Sequence, residues 1–181
     1  MAGNALKPIP VEGFDGWVVG GEWLSPDGPL LVWSVHLHAG EGTYVNCANR
    51  LLDALSSFVG RAPMILAGDW NLTVGVRQED ESLQNHAAEL RLLDRLRDEF
   101  GLVSGWQAAH PQERLPQTLR WARDPVPPYH CDGVFLPQEW CSRIRSADVL
   151  TGEPWLSLSD HFPVVLELAG EDTKEPSAAA E

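Results

Sequence analysis

Short apolar segments of this chain repeatedly begin or end in acidic, amide or imidazole side chains. In α/β proteins the ends of neighbouring strands meet at one edge of a sheet, and the loops at that edge commonly carry the chemistry. We therefore expect an α/β domain whose chemistry lies at these strand ends. The side chains at these positions are His36, His38, Asp69, Asn71, Asp132, Asp160 and His161.

The apolar segments themselves predict strands. "GWVVGGEWL" and "LLVWSVHL" are rich in β-branched and aromatic residues and are joined by "SPDGP", so they predict an antiparallel hairpin. "APMILAGDW" contains an apolar run closed by a glycine, which predicts a strand buried on both faces. Three further strands are predicted over "CDGVFL", "IRSADVL" and "HFPVVLEL".

Two helices are predicted between these strands. Residues 43 to 59 carry leucine and phenylalanine at helical spacing and are followed by Gly60, a residue typical of helix ends. Residues 81 to 100 show the same spacing before Gly101. Residues 106 to 130 contain five prolines and no sustained period, so a long irregular loop is predicted there.

Length and composition predict one globular domain. The chain has 181 residues, of which 44% are hydrophobic, enough for one sizeable core. We assign residues 13–169 to the domain, residues 1–12 to an irregular segment and residues 170–181 to a disordered acidic tail. The sequence has no membrane-span or signal-peptide pattern, so the expected compartment is the cytoplasm. The three cysteines are predicted to be free thiols because their number is odd and their spacing is not that of a zinc site.

The net charge of −13 argues against simple electrostatic attraction to duplex DNA, since proteins that grip nucleic acid usually present a basic face. Small phosphoesters, lipid headgroups and nucleotides remain compatible with this charge. Alternatively, Arg114, Arg120 and Arg123 in the long loop could form a local basic patch that binds a phosphate of a nucleic acid.

The four polar strand ends together indicate a catalytic role more strongly than any one of them does alone. A lone carboxylate at a strand end is more often a loop anchor than a catalytic group, and a lone histidine more often has a structural role. Hard divalent cations prefer oxygen ligands, and neutral imidazoles are ready acids and bases. The combination therefore favours a cation-assisted reaction.

Four motifs carry a resemblance to a known family. "VHLH", "GDWN", "CDGVF" and "SDHFPV" occur in this order, each at the end of an apolar strand, and resemble the endonuclease/exonuclease/phosphatase (deoxyribonuclease-I-like) superfamily. The resemblance implies two packed mixed β-sheets flanked by helices, a four-layer α/β/β/α sandwich, here without the N-terminal strands. It also implies a metal-dependent phosphoester hydrolase: a phosphodiesterase, nuclease or phosphatase.

The resemblance also implies roles for the catalytic residues. Asp69 resembles the residue that orients or deprotonates the attacking water, and Asn71 the residue that helps to hold phosphate and water in line. His161 resembles the imidazole that contacts a non-bridging phosphate oxygen, with Asp132 as its orienting carboxylate. His36 resembles a second phosphate-facing histidine.

By the same resemblance, Asp160, together with Asp69 and Asn71, is expected to bind Mg²⁺ or Mn²⁺. The family holds its metal mainly through a glutamate near the N-terminus, and this chain has no clear counterpart. Asn4 and Glu12 are weak candidates as replacements.

Two functional classes follow from this departure. The chain is either a phosphoester hydrolase or a catalytically inactive fragment or binding module, for which its eight tryptophans would supply contact surface. The expected partner is a phosphoester substrate, either nucleic acid or a small phosphorylated molecule. Association with another chain is also expected, through the sheet surface that the absent strands would leave exposed.

Overall fold

The fold is an α/β arrangement with one large and one small sheet. The structure is a computed structural model that describes residues 6–40, 42–121 and 129–170. The strands are β1 (Lys7–Pro8), β2 (Val18–Ser25), β3 (Gly28–His36), β4 (Met64–Asp69), β5 (Leu102–Ser104), β6 (Asp132–Pro137), β7 (Ile144–Val149) and β8 (Val164–Leu168). The α-helices are α1 (Tyr44–Leu55), α2 (Ala87–Phe100), α3 (Gly105–Ala109) and α4 (Trp155–Leu158), and 3₁₀ turns cover Ser56–Phe58 and Gln138–Arg143.

The large sheet is mixed and has the strand order β1-β2-β3-β4-β6-β5. The predicted hairpin is confirmed, because β2 and β3 pair antiparallel with Val18 opposite Val35. β3 and β4 are parallel, so the chain must cross over between them, and α1 lies in this crossover. Every other pair in this sheet is antiparallel, so β6 begins at the edge where β3 and β4 end.

Helices α1 and α2 cover one face of the large sheet and form the main core with it. Leu51, Leu52 and Leu55 of α1 are fully buried, as are Trp33 of β3 and Leu66 of β4. Leu92 and Leu96 of α2 complete this cluster. The buried leucines of α1 recur at helical spacing, which explains why periodicity alone located the helix.

Both predicted helices are shorter than the sequence suggested. α1 starts after Thr43, whose hydroxyl accepts a hydrogen bond from the Asn46 backbone N–H at 3.1 Å, and its last predicted turn is 3₁₀. α2 begins at Ala87 instead of Glu81. Glu81 is held in the preceding loop, where its carboxylate accepts hydrogen bonds from the Gln78 backbone and the Arg77 guanidinium. Such local side-chain bonds compete with helix formation.

The small sheet consists of β7 and β8, paired antiparallel. α3 lies between it and the large sheet. Gly105 allows this packing, because a Cβ at that position would approach the Leu136 side chain to 2.8 Å and the Leu166 side chain to 2.9 Å. The predicted α/β class with two sheets and flanking helices is confirmed, although the small sheet is antiparallel in the part of the chain described here.

The second face of the large sheet is only partly covered. Val19 of β2 is 63% exposed on this face, and Ala67 of β4 is half-buried. The prediction that β4 is buried on both faces is therefore wrong, since open cavities separate Ile65 and Ala67 from β8 of the small sheet. Association of this surface with another chain stays a prediction.

Two segments predicted to be irregular contain regular structure. Lys7–Pro8 forms the short edge strand β1 against β2. α3 and an isolated bridge from Leu119 to Tyr129 and His161 lie in the region predicted as a long loop. The predicted tail beyond residue 170 and the position of Asn4 lie outside the described residues. Among the helices described, none is both long and apolar enough to span a membrane.

Candidate active site

Three predicted residues lie side by side at one edge of the large sheet. His36 at the end of β3 pairs with Asp69 at the end of β4, and Asp69 pairs with Asp132 at the start of β6. Residues directly opposite each other on neighbouring strands point to the same face. The row therefore presents one imidazole and two carboxylates on the face opposite to α1 and α2.

Asp69 is fixed by the residue two positions ahead. The Asn71 backbone N–H donates to Asp69 Oδ1 at 2.8 Å, and Asn71 Nδ2 donates to Asp69 Oδ2 at 2.9 Å and to the Leu37 carbonyl at 3.0 Å. Asn71 has φ of 52°, a left-handed conformation that asparagine tolerates better than most residues. Between them, Trp70 is fully buried against Phe135 and anchors the turn.

His161 and Asp132 are in direct contact. Nδ1 of His161 lies 2.9 Å from Asp132 Oδ2 and 3.1 Å from Oδ1, so this nitrogen carries a proton and donates a hydrogen bond to the carboxylate. The bond leaves Nε2 as the ring nitrogen available to a ligand. The structure thus brings together two residues that are 29 positions apart in the chain.

Thr118 positions this pair, although no sequence pattern marked it as a functional residue. Its side chain is fully buried, and its hydroxyl accepts hydrogen bonds from the backbone N–H groups of Cys131 at 2.9 Å and Asp132 at 3.0 Å. Its carbonyl accepts from the Phe162 N–H at 2.7 Å. One threonine therefore contacts the segments that carry both Asp132 and His161. It lies in the segment without periodicity, where no pattern marks a functional residue.

The pKa values at this edge shift in the directions expected for a partly buried charged cluster. Burial raises the pKa of Asp69, the Asn71 backbone N–H opposes that rise, and the nearby Asp132 carboxylate adds to it. The hydrogen bond from His161 to Asp132 raises the pKa of His161, because the carboxylate stabilises the imidazolium. Asp69 and His161 are therefore both biased towards holding a proton.

Asp69, Asp132 and His161 form a group able to hold a cation, with one donor atom from each within 4.8 Å of the others. Two carboxylates, completed by water and substrate phosphate, are a common arrangement for Mg²⁺. Because His161 Nδ1 is already bonded to Asp132, the carboxylates are the more suitable ligands. Burial and repulsion by Asp132 disfavour the charged form of Asp69, and a bound dication would stabilise that charged form.

Asp160, the predicted metal ligand, is exposed beside this group and is not one of its three members. Its backbone carbonyl accepts a hydrogen bond from the Arg120 N–H at 2.8 Å, and its charge contributes to the raised pKa of His161. Its metal-binding role stays a prediction. His36 lies nearer to the centre, with Nε2 3.8 Å from Asp69 Oδ2 and its side chain 61% exposed.

The predicted basic patch does not present free cations in the described residues. Arg114 pairs with Asp80 at 2.6 Å, and Nη2 of Arg120 donates to the carbonyls of Leu156 and Ser159. Arg123 lies outside the described residues. The three cysteines are free thiols, and burial raises the pKa of Cys131 to about 12, so this thiol is neutral.

His130 makes the stability of the fold depend on pH. It is fully buried, its Nδ1 donates to the Pro116 carbonyl at 2.9 Å, and burial lowers its pKa from 6.5 to about 4. Between these two values the unfolded chain binds a proton that the folded chain does not. Lowering the pH from 6.5 to 4 should therefore remove roughly 3 kcal/mol of stability through this residue.

Urea denaturation at a series of pH values measures this effect. The His130→Gln variant keeps a hydrogen-bond donor but loses the titrating group, so its free energy of unfolding should vary less over the same range. Equal slopes in the two proteins would contradict the assignment.

Known structures provide an independent comparison. An AP endonuclease from Archaeoglobus fulgidus superposes with a TM-score of 0.64 and 19% identity, over 90% of this chain and 72% of that one. A 3′ phosphatase, NExo from Neisseria bound to product DNA hairpin, superposes with a TM-score of 0.64 and 15% identity, over 91% and 72%. An endonuclease/exonuclease/phosphatase from Beutenbergia cavernae gives a TM-score of 0.55 and 21% identity, over 94% and 45%.

The chain has the endonuclease/exonuclease/phosphatase fold. The fold predicted from the four sequence motifs is thereby confirmed. No protein-family model and no curated protein sequence matches the chain. The fold is therefore recognised from the three-dimensional structure and from four short motifs. This chain spans about seven tenths of the length of the first two neighbours.

Proposed function

We propose that the protein is a metal-dependent phosphoester hydrolase. The observation that carries the proposal is the gathering of Asp69, Asp132 and His161 within 4.8 Å at one sheet edge. The fold adds support, since the neighbours that share it are described as an AP endonuclease and a 3′ phosphatase.

Asp69 is the residue best placed to accept a proton from the attacking water. As the water oxygen bonds to phosphorus, the ester P–O bond breaks, the leaving oxygen departs, and the water proton passes to a base. Asp69 lies between His36 and Asp132 in the row at the sheet edge, and its side chain is partly exposed, so water can reach the carboxylate. The two hydrogen bonds from Asn71 hold the carboxylate in one orientation for this transfer.

His161 and Asp132 act together on the phosphate. Asp132 keeps the imidazole in the tautomer with the proton on Nδ1 and raises its pKa, so Nε2 can also hold a proton and donate a hydrogen bond to a phosphate oxygen. His36, on the other side of Asp69, offers a second imidazole to the same substrate.

A divalent cation, Mg²⁺ or Mn²⁺, would be held by Asp69 and Asp132, with Asp160 and the Asn71 amide oxygen as the further ligands predicted from the sequence. When bound, it supplies positive charge that stabilises the negative charge of the phosphate in the transition state. Without it, Asp69 and Asp132 repel each other at close range.

Hydrolysis of bis(p-nitrophenyl) phosphate tests the proposal. We expect release of p-nitrophenol in Mg²⁺ or Mn²⁺, none in EDTA, and a rate lowered by about 10²-fold in His161→Gln, the typical cost of removing one transition-state donor. His110→Gln is the matched control, since His110 bonds to the Ala147 carbonyl and to Glu113, away from the site. It should retain the wild-type rate.

Equal rates for wild type and His161→Gln would contradict the assigned role of the imidazole. A folded wild-type protein without turnover in either cation would instead favour the noncatalytic binding module.

A further inference from the structure

Three exposed rings form a cluster beside the candidate active site. Trp17 stacks on His38, with ring centroids 4.8 Å apart and an interplanar angle of 24°. His36 meets Trp17 edge-on at 5.5 Å. Trp17 is 42% exposed, so part of its ring surface is open to a ligand. We refer to Trp17, His36 and His38 as the ring cluster.

The backbone fixes the ring cluster relative to Asp69. The His36 N–H donates to the Trp17 carbonyl at 2.8 Å, and the Leu37 N–H donates to the Asp69 carbonyl at 2.9 Å. The Gly40 N–H donates to His38 Nδ1 at 3.2 Å, which holds that ring in place. The stacked surface is thus formed before any ligand arrives, and a preformed surface lowers the entropic cost of binding.

A cavity of about 270 Å³ adjoins the ring cluster. Its walls include Trp17, His38 and, from α1, Asn46 and Arg50. The Arg50 guanidinium lies 5.7 Å from the centre of the Phe14 ring, and no acidic group within the described ranges forms an ion pair with it. Among the residues that the structure describes, Arg50 is thus a cation without an acidic partner, in a chain with a net charge of −13.

We propose that this cavity binds a nucleobase of the substrate, stacked on the ring cluster, with a phosphate of the same ligand facing Arg50. The proposal rests on the phosphoester hydrolase function and narrows its substrates to nucleotides or nucleic acid strands. Every nucleobase has a flat π face that stacks on an aromatic side chain, whereas sugar and lipid phosphates have none. Arginine binds phosphate oxygens through its planar set of donors.

Calorimetric titration in EDTA tests this binding without hydrolysis. Adenosine 5′-monophosphate and ribose 5-phosphate are the two probes, since they differ only in the base. The wild-type protein should bind the nucleotide at least ~5-fold more tightly than the sugar phosphate, the lower limit of a typical stacking contribution. Trp17→Leu should lose this preference and keep the weaker affinity for ribose 5-phosphate.

Two further variants separate stacking from charge. Arg50→Gln should weaken the binding of both probes by a similar factor, because the lost guanidinium would contact the phosphate that the two probes share. Trp23→Leu is the matched control: Trp23 lies towards the far end of β2, the strand that begins directly after Trp17, is 36% exposed, and should leave both affinities unchanged. Thermal melting of each variant checks that the fold is retained.

Equal affinity of the wild-type protein for the two probes would overturn the proposal. So would an equal loss of nucleotide affinity in Trp17→Leu and Trp23→Leu. The binding measurement does not depend on turnover. Base-dependent binding in a protein that fails the hydrolysis assay would therefore support the nucleobase site and contradict only the proposed enzymatic function. A short oligothymidylate, compared with the mononucleotide, distinguishes a strand-binding site from a site for free nucleotides.

Discussion

Asp69→Asn is expected to lower the rate of cation-dependent phosphodiester hydrolysis by about 10²-fold or more, the usual contribution of a positioned general base. The substitution keeps the size and shape of the side chain but removes its charge and its ability to accept a proton. It also removes a carboxylate whose pKa is raised by burial and by Asp132. Relief of that unfavourable charge offsets the loss of one of the two hydrogen bonds from Asn71, so we expect the midpoint of thermal unfolding without cation to stay near the wild-type value.

The same variant tests the cation. Divalent cation should raise the thermal midpoint of the wild-type protein, because a ligand that binds only the folded state stabilises it. That rise should be smaller in Asp69→Asn, which keeps one of the two proposed carboxylate ligands. Initial rates and melting curves at several Mg²⁺ concentrations measure both effects.

Asp160→Asn is the comparison variant, because Asp160 is exposed and outside the group of three donor atoms. We expect it to retain turnover and to need more Mg²⁺ for half-maximal rate if its predicted role as a ligand holds. An Asp69→Asn protein with more than half of the wild-type activity would refute the role given to Asp69.

Gly68→Ala is expected to destabilise the fold by more than about 3 kcal/mol, because a strained backbone and a steric overlap would act together. Gly68 has φ of 138°, a conformation that residues with a Cβ rarely adopt. A Cβ on Gly68 would overlap the carbonyl oxygen of Val35 in the adjacent strand β3. That atom belongs to the backbone of a central strand and has little freedom to move.

Urea denaturation followed by circular dichroism measures this loss. Gly42→Ala is the matched control, since its added Cβ would meet only the Ala39 carbonyl at 3.6 Å, an ordinary contact. It should change the free energy of unfolding by less than about 0.5 kcal/mol, as most surface substitutions do. Similar stabilities for Gly68→Ala and Gly42→Ala would show that β3 and β4 can separate enough to admit a methyl group.

The features predicted most accurately from the sequence are those that local patterns determine. The hairpin of β2 and β3 follows from alternation and a turn, and α1 follows from the spacing of its leucines. The link between Asp69 and Asn71 spans only two positions, so a shared direction could be expected from the strand period. The start of α2 was misplaced because the bonds of Glu81 to Gln78 and Arg77 cannot be read from hydrophobic spacing.

Long-range contacts were the part that local patterns could not predict. The contact of Asp132 with His161 came from the motif resemblance, and the structure supplies its geometry. Thr118 and Trp17 were missed because the residues that each contacts come close to it only in the folded chain. For Trp17, the sole available signal was its position at the mouth of a strand that pairs with the one carrying His36.

The row of His36, Asp69 and Asp132 also has a consequence for how the protein acquires activity. The three residues come from β3, β4 and β6, and His161 is added from the segment before β8. Each of these pairings closes a stretch of some 30 residues or more, and non-local pairings of this kind form late and slowly. A chain that lacks any one of these pairings lacks part of the site, so we expect competence for reaction to appear only after all of them have formed.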